Sequence, residues 1–170
     1  MDLTTYIRDV PDFPKKGILF KDITPLLGAP EALQFAVESL AKPFRDAGVS
    51  RVAAIESRGF IFGSCVARLL GAGFVPIRKP GKLPWTKRRN EYVLEYGTDA
   101  LEMHDDALSA NDRVVIIDDV LATGGTAAAA TCLVRDSGAQ LVGAAMVIEL
   151  SFLNGRSKLN GIPVHSLITY

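Results

Sequence analysis

Apolar residues fall into short unbroken runs and longer runs at helical spacing, and the two kinds alternate along the chain. Val114 to Ile117 are four consecutive β-branched residues, which is the pattern of a strand buried on both faces of a parallel sheet. Val52 to Ile55, Phe74 to Ile77 and the long apolar stretch from Gln140 to Leu150, ending at Glu149, read as further strands, and Val164 to Ile168 as an edge strand. Between them Leu33, Val37, Leu40 and Phe44 recur at helical spacing in a segment opened by Pro30 and closed by Gly48, with a kink expected at Pro43. A second helix places Phe62, Val66, Leu69 and Leu70 inward, and the alanine-rich run Ala127 to Leu133 continues as a third. Strands alternating with helices over 170 residues predict an α/β fold: an open, mainly parallel sheet with helices on both faces, in one domain over residues 1–170.

Two stretches leave this rhythm. Leu3, Tyr6, Ile7 and Val10 predict a short amphipathic helix stopped by Pro11, after which the turn-like Phe13 to Gly17 leads into Ile18 to Ile23, short enough for an edge strand. Leu83 to Arg89 has no hydrophobic period and reads as a mobile loop. Tyr92, Leu94 and Tyr96 then alternate with Val93, Glu95 and Gly97, and a second strand through Leu101 and Met103 returns after Gly97-Thr98. This makes a β-hairpin inserted at about 82–104, and insertions at a ligand edge tend to be flexible lids.

Charge removes some functions and adds none. Nineteen basic and nineteen acidic residues give zero net charge, so bulk electrostatics point to no nucleic-acid partner. No apolar run reaches membrane-spanning length, and Asp2, Arg8 and Asp9 break any signal peptide, so a cytoplasmic protein with no membrane attachment is expected. Cys65 and Cys132 read as small buried hydrophobes, and His104 and His165 have no partner at metal-ligand spacing.

The chemistry gathers where the strand at Val114 ends. Asp118 and Asp119 are followed by Ala122-Thr123-Gly124-Gly125-Thr126, and then by the alanine-rich helix. Backbone N–H groups at a helix start, two threonine hydroxyls and two glycines that admit close approach make an anion site. No lysine follows the glycines, so this is not a nucleoside-triphosphate loop. Two carboxylates beside a phosphate suit sugar hydroxyls or a divalent cation, and phosphate with a cis-diol describes a ribose 5-phosphate.

Val114 to Thr126 resembles the phosphoribosyl-pyrophosphate-binding motif of the type I phosphoribosyltransferases, and the whole chain is similar to the adenine phosphoribosyltransferases among them. F-P-K-K-G-I-L-F-K-D-I-T-P-L-L resembles their N-terminal hood, and E-S-R-G-F, R-K-x-G-K-L-P, E-Y-G and the thirteen-residue motif follow in the family's order. Lys21, where arginine is frequent, and Pro80 depart from the pattern.

The resemblance implies a type I phosphoribosyltransferase fold with the N-terminal helix and hood over 1–27, the lid at about 82–104 and a donor-binding strand, loop and helix at about 112–137. It implies transfer of the phosphoribosyl group of phosphoribosyl pyrophosphate to N9 of adenine, giving AMP and pyrophosphate with magnesium, in a homodimer. By it Ala122, Thr123, Gly124, Gly125 and Thr126 hold the 5-phosphate, and Asp118 and Asp119 the ribose hydroxyls. Ser57, Arg58, Lys79 and Lys82 would meet pyrophosphate, with Arg78 left open. Leu19, Phe20, Lys21 and Val120 would meet adenine, the extended backbone matching its exocyclic amine and N1. Glu95 would handle a proton on the purine and Tyr96 shield the reaction centre. Magnesium is expected through the substrate, with water as the route to Asp118 or Asp119 and no direct protein ligand. Related 6-oxopurine enzymes carry a lysine after the core motif, whereas no Lys or Arg stands between Arg135 and Arg156 here, which favours adenine. A non-catalytic sensor of the same donor would need a basic face, and no helix is strongly basic.

Overall fold

The computed structural model describes residues 1–93 and 98–170. In chain order, a one-turn 3-10 helix (Leu3–Tyr6) leads to β1 (Arg8–Pro11), β2 (Leu19–Asp22), α1 (Thr24–Gly28), α2 (Pro30–Ala41), β3 (Arg51–Ile55), α3 (Gly59–Leu70) and β4 (Gly73–Ile77). There follow β5 (Lys87–Val93), β6 (Thr98–His104), β7 (Arg113–Leu121), α4 (Gly125–Asp136), β8 (Gln140–Glu149) and β9 (Val164–Thr169).

Five strands form one parallel sheet in the order β4-β3-β7-β8-β9. Side chains alternate across it, so Val115 and Ile117 join the core under α2 and α3, while Val114 and Ile116 join the core beneath α4 and β6. All four are at most 1% exposed, which is why the run shows no alternation in sequence. α3 sits close on β3: a methyl on Gly63 would run into Ala54 Cβ and stand 3.3 Å from Phe74 Cε2. The chain winds from β3 outward to β4, then crosses back to β7, so the order of winding reverses between the parallel neighbours β3 and β7. In an open parallel sheet the ligand crevice lies at the carboxyl ends of the strands flanking that reversal.

Several expectations need correction. The N-terminal helix is one turn only, because Asp2 Oδ1 accepts Thr4 N at 2.9 Å to cap it and the chain is already extended at Ile7. Val10 belongs to β1, paired antiparallel with β2, so the hood is a two-stranded ribbon. Pro43 does not kink a longer helix: α2 ends at Ala41 and a 3-10 turn, Lys42–Phe44, replaces it, since proline offers no N–H and disfavours helix before it. Leu69 is 50% exposed because the inward stripe of α3 runs Phe62, Gly63, Val66, Ala67 and Leu70, about 100° away from it. Cys65 and Cys132 are exposed thiols on the outward faces of α3 and α4. The segment expected as loop to Arg89 becomes strand at Lys87, where β5 pairs with β6.

Candidate active site

A cavity of about 550 Å³ opens at the β3/β7 reversal. β3 pairs with β7 only as far as Ile117, so beyond that residue the β3 side of β7 is open while β8 still pairs with it to Leu121. Asp118 and Asp119 stand there. The turn after β3 brings Ser57 and Arg58, the end of β4 brings Lys79, and the hood brings Leu19, Phe20 and Lys21 to the same cavity. Val120 and the loop Ala122 to Thr126 complete it.

Gly124 caps α4 with φ +78, and its carbonyl accepts Ala128 N at 2.9 Å. The N–H groups of the first turn are thereby left for a ligand, with the helix dipole behind them. Asp118 is buried against α3, where a methyl on Gly59 would stand 2.7 Å from its Oδ1. Burial pushes the Asp118 carboxyl well above the usual carboxylate range, and the Asp119 carboxylate beside it pushes the same way. Arg58 Nε donates to Asp119 Oδ2 across the crevice, and the guanidinium lies 5.2 Å from the centre of the Phe20 ring. Among described residues no three His, Cys, Asp or Glu gather as a metal cage.

The cations expected for pyrophosphate occupy different places. Lys79 Nζ donates to Tyr92 Oη at 3.0 Å and pairs with Asp99, so its neighbours are the two strands of the hairpin. Burial works against its charge, but the bonds to Asp99 and Tyr92 outweigh this and raise its pKa. Tyr92 Oη also accepts from Thr126 Oγ1 at 3.4 Å, so one hydroxyl links the lysine to the loop at the start of α4. Lys82 lies outside the cavity lining and its ammonium donates to Glu56 Oε1 at 2.9 Å. Arg78 takes the same carboxylate with both Nε and Nη2, at 3.1 and 2.9 Å, which holds Glu56 at about 2.

Lys21 faces the cavity by its position in β2, but its ammonium donates to Asp9 Oδ1 at 2.7 Å and lies 3.7 Å from the centre of the Tyr170 ring. It anchors the hood. Among the described residues the ribbon of β1 and β2 leaves one edge of β2 without a strand partner, so that edge can offer backbone donors and acceptors to a ligand. Glu95 and Tyr96 lie outside the described residues. Reading the chain alone passed over Glu56, Asp99 and Gly155; only Glu56, inside E-S-R-G-F, had a signal, as the lone acid facing a run of cations.

The phosphoribosyl transferase domain family matches residues 29–159. The adenine phosphoribosyltransferase of Anaeromyxobacter dehalogenans is 56% identical over 164 residues, covering 96% of this chain and 95% of that protein. The chain belongs to the adenine phosphoribosyltransferase family. Its fold is the family's: the crystal structure of the adenine phosphoribosyltransferase of Rhodothermus marinus superposes with a TM-score of 0.95 at 53% identity, covering 99% of this chain and 96% of that one. The Saccharomyces cerevisiae adenine phosphoribosyltransferase, solved with adenine and an imino-altritol bisphosphate, gives a TM-score of 0.92 at 43% identity over 97% of this chain and 96% of that one.

Proposed function

We propose that this phosphoribosyltransferase joins N9 of adenine to C1 of the phosphoribosyl group of phosphoribosyl pyrophosphate, forming AMP and releasing pyrophosphate in purine salvage. The observation that carries the reading is the convergence, at one sheet reversal, of a helix-start phosphate cradle, a carboxylate pair, a lysine and an open strand edge.

Thr123 to Thr126 anchor the 5-phosphate, so binding energy remote from the reaction holds the ring while C1 moves from pyrophosphate toward the base. The C1–O bond to pyrophosphate breaks as the N9–C1 bond forms. Asp118 and Asp119 accept hydrogen bonds from the ribose hydroxyls. Arg58, the Ser57 backbone and Lys79 meet the pyrophosphate, which requires Arg58 to exchange Asp119, and Lys79 to exchange Asp99, for phosphate oxygens. Lys82 reaches the same anion by leaving Glu56. The free edge of β2 at Leu19 to Lys21 reads adenine, with Phe20 and Val120 against its faces. Glu95 handles the proton leaving the purine, and Tyr96 closes over the centre with the hairpin to exclude water.

Asp118 and Asp119, two hard oxygen donors on the cavity wall, fit magnesium carried on the donor's oxygens and would hold it through water. Bound there, magnesium supplies positive charge to the departing pyrophosphate. We place the homodimer contact on the outward stripe of α3, where Ile61, Cys65 and Leu69 recur every four residues beside the exposed Phe74 of edge strand β4. No helix among the described residues is long and apolar enough to cross a membrane. Free thiols at Cys65 and Cys132 suit the reducing cytoplasm.

Pyrophosphate release from phosphoribosyl pyrophosphate and magnesium, run with adenine, hypoxanthine, guanine and no base, tests the reading. Adenine is expected to turn over alone. Arg156, the first cation after Arg135, lies outside the cavity lining with its guanidinium on Glu149 and Val164 O, so it does not stand where it could meet a purine O6. Turnover with oxopurines would keep the donor site and sink the account of the hood; donor binding with no turnover would favour a sensor.

A further inference from the structure

The phosphate loop rests on a second glycine that lies outside the cavity lining. A methyl on Gly124 would stand 2.9 Å from both Cα and the carbonyl carbon of Gly155, and nearer still to its oxygen. The contact is reciprocal, because a methyl on Gly155 would run into Ala122 O and stand 2.8 Å from Gly124 N. Two stretches of backbone meet here with no side chain between them, so the place of Gly155 sets the place of the loop. Gly155 has no left-handed φ, and closeness alone is what a side chain there would violate.

Gly155 is itself tied down. The next residue, Arg156, forks onto Glu149 at the end of β8, Nε to Oε1 at 2.9 Å with a second bond from Nη2 to Oε2. Its Nη1 donates to Val164 O at 2.8 Å, and Ser166 Oγ donates to Glu149 Oε2 at 2.6 Å. The Glu149 side chain is 8% exposed and that of Arg156 48%, so the carboxylate end of the fork is protected and is fixed to two strands of the sheet. Leu159, buried in the core under α4, holds the far end of the segment.

We propose that Gly155 and Arg156 are positioning residues for the donor's 5-phosphate: Gly155 is the backstop against which Ala122 to Thr126 is set, and Arg156 clamps that backstop to Glu149. The inference rests on the reading of the loop as the phosphate cradle. Neither residue touches the phosphate. A loop held from behind presents its N–H groups already aimed, which spares the ligand the work of ordering them.

Gly155→Ala and Arg156→Lys, which keeps the charge and loses the fork, are compared with Thr126→Ala, which removes a hydroxyl of the cradle itself. The measurements are KM for phosphoribosyl pyrophosphate and for adenine, kcat, inhibition by ribose 5-phosphate, and melting temperature. Because ångström displacements of positioning groups cost up to about a hundred-fold, Gly155→Ala is expected to raise the donor KM and the ribose 5-phosphate inhibition constant roughly ten- to a hundred-fold. The adenine KM stays unchanged, and Arg156→Lys moves the same two constants by a smaller factor. A merely structural role would lower the melting temperature and leave both constants in place. Folded Gly155→Ala and Arg156→Lys with unaltered donor constants, while Thr126→Ala raises them, would overturn the inference alone; an unaffected Thr126→Ala would overturn the cradle reading beneath it. If Gly155→Ala does not fold, Arg156→Lys decides, and failure of both to fold would assign the contact to the fold rather than to the loop and overturn the proposal.

Discussion

Glu56 holds together the cations beside the site, and its worth can be worked out. Its carboxylate accepts Arg78 twice, Lys82 Nζ at 2.9 Å and Lys79 N at 3.3 Å, and its side chain is 10% exposed. The Arg78 hydrogen bond, aided by Lys82 and Lys79 N–H and opposed by burial, holds it at about 2 against 4.5 for a free glutamate. At full strength such a shift is roughly 3 kcal/mol of stability. The Arg78 and Lys82 side chains are 32% and 49% exposed. Solvent screening of those partners leaves about 1–2 kcal/mol. The folded pKa is depressed, so the contribution is full above the unfolded pKa and disappears as pH falls through the folded one. Glu56→Gln, which keeps shape and one acceptor, should therefore lower the urea midpoint at pH 7 by about 0.5–1 M at a slope near 2 kcal/mol/M. The gap from wild type should shrink between about pH 4.5 and pH 2, measured at one protein concentration so that subunit association does not shift the comparison. Equal midpoints at pH 7, or a gap that persists undiminished at pH 3, would refute the reasoning.

Lys79→Met should raise the donor KM roughly ten- to a hundred-fold, because a hydrogen bond from a charged group is worth about 1.5–3 kcal/mol, with the adenine KM steady in the same initial-rate assay. Glu95→Gln should lower kcat by about 10²–10⁴ while donor binding by calorimetry is retained; a kcat like wild type would remove Glu95 from proton transfer. Ile61→Asp, placing a charge on the outward stripe of α3, should shift sedimentation from dimer to monomer, and an unchanged dimer would move the interface elsewhere.

What the chain determined by itself was whatever is local or periodic. The buried run Val114 to Ile117 and the alternation of strand and helix follow from side-chain period, and those elements appear where it says, whereas the first hairpin strand, expected from Tyr92 onward, already begins at Lys87, and positions 94–97 of the expectation lie outside the described residues. The loop Ala122 to Thr126 was legible as a cavity-lining helix start because small residues, hydroxyls and an alanine-rich helix stand in direct succession, the pattern of the anion site proposed for it. Local periodicity failed where position on the finished molecule decides exposure: Leu69, Cys65 and Cys132 satisfy a helical pattern and face outward, and Val10 satisfies one yet pairs in a strand. Only the tertiary structure joined Arg58 to Asp119, Lys79 to Asp99 and Gly124 to Gly155, residues 61, 20 and 31 positions apart by their numbers. Such pairings are set by the strand order and by the reversal between β3 and β7, and strand order is a property of the packed sheet that no window of sequence carries.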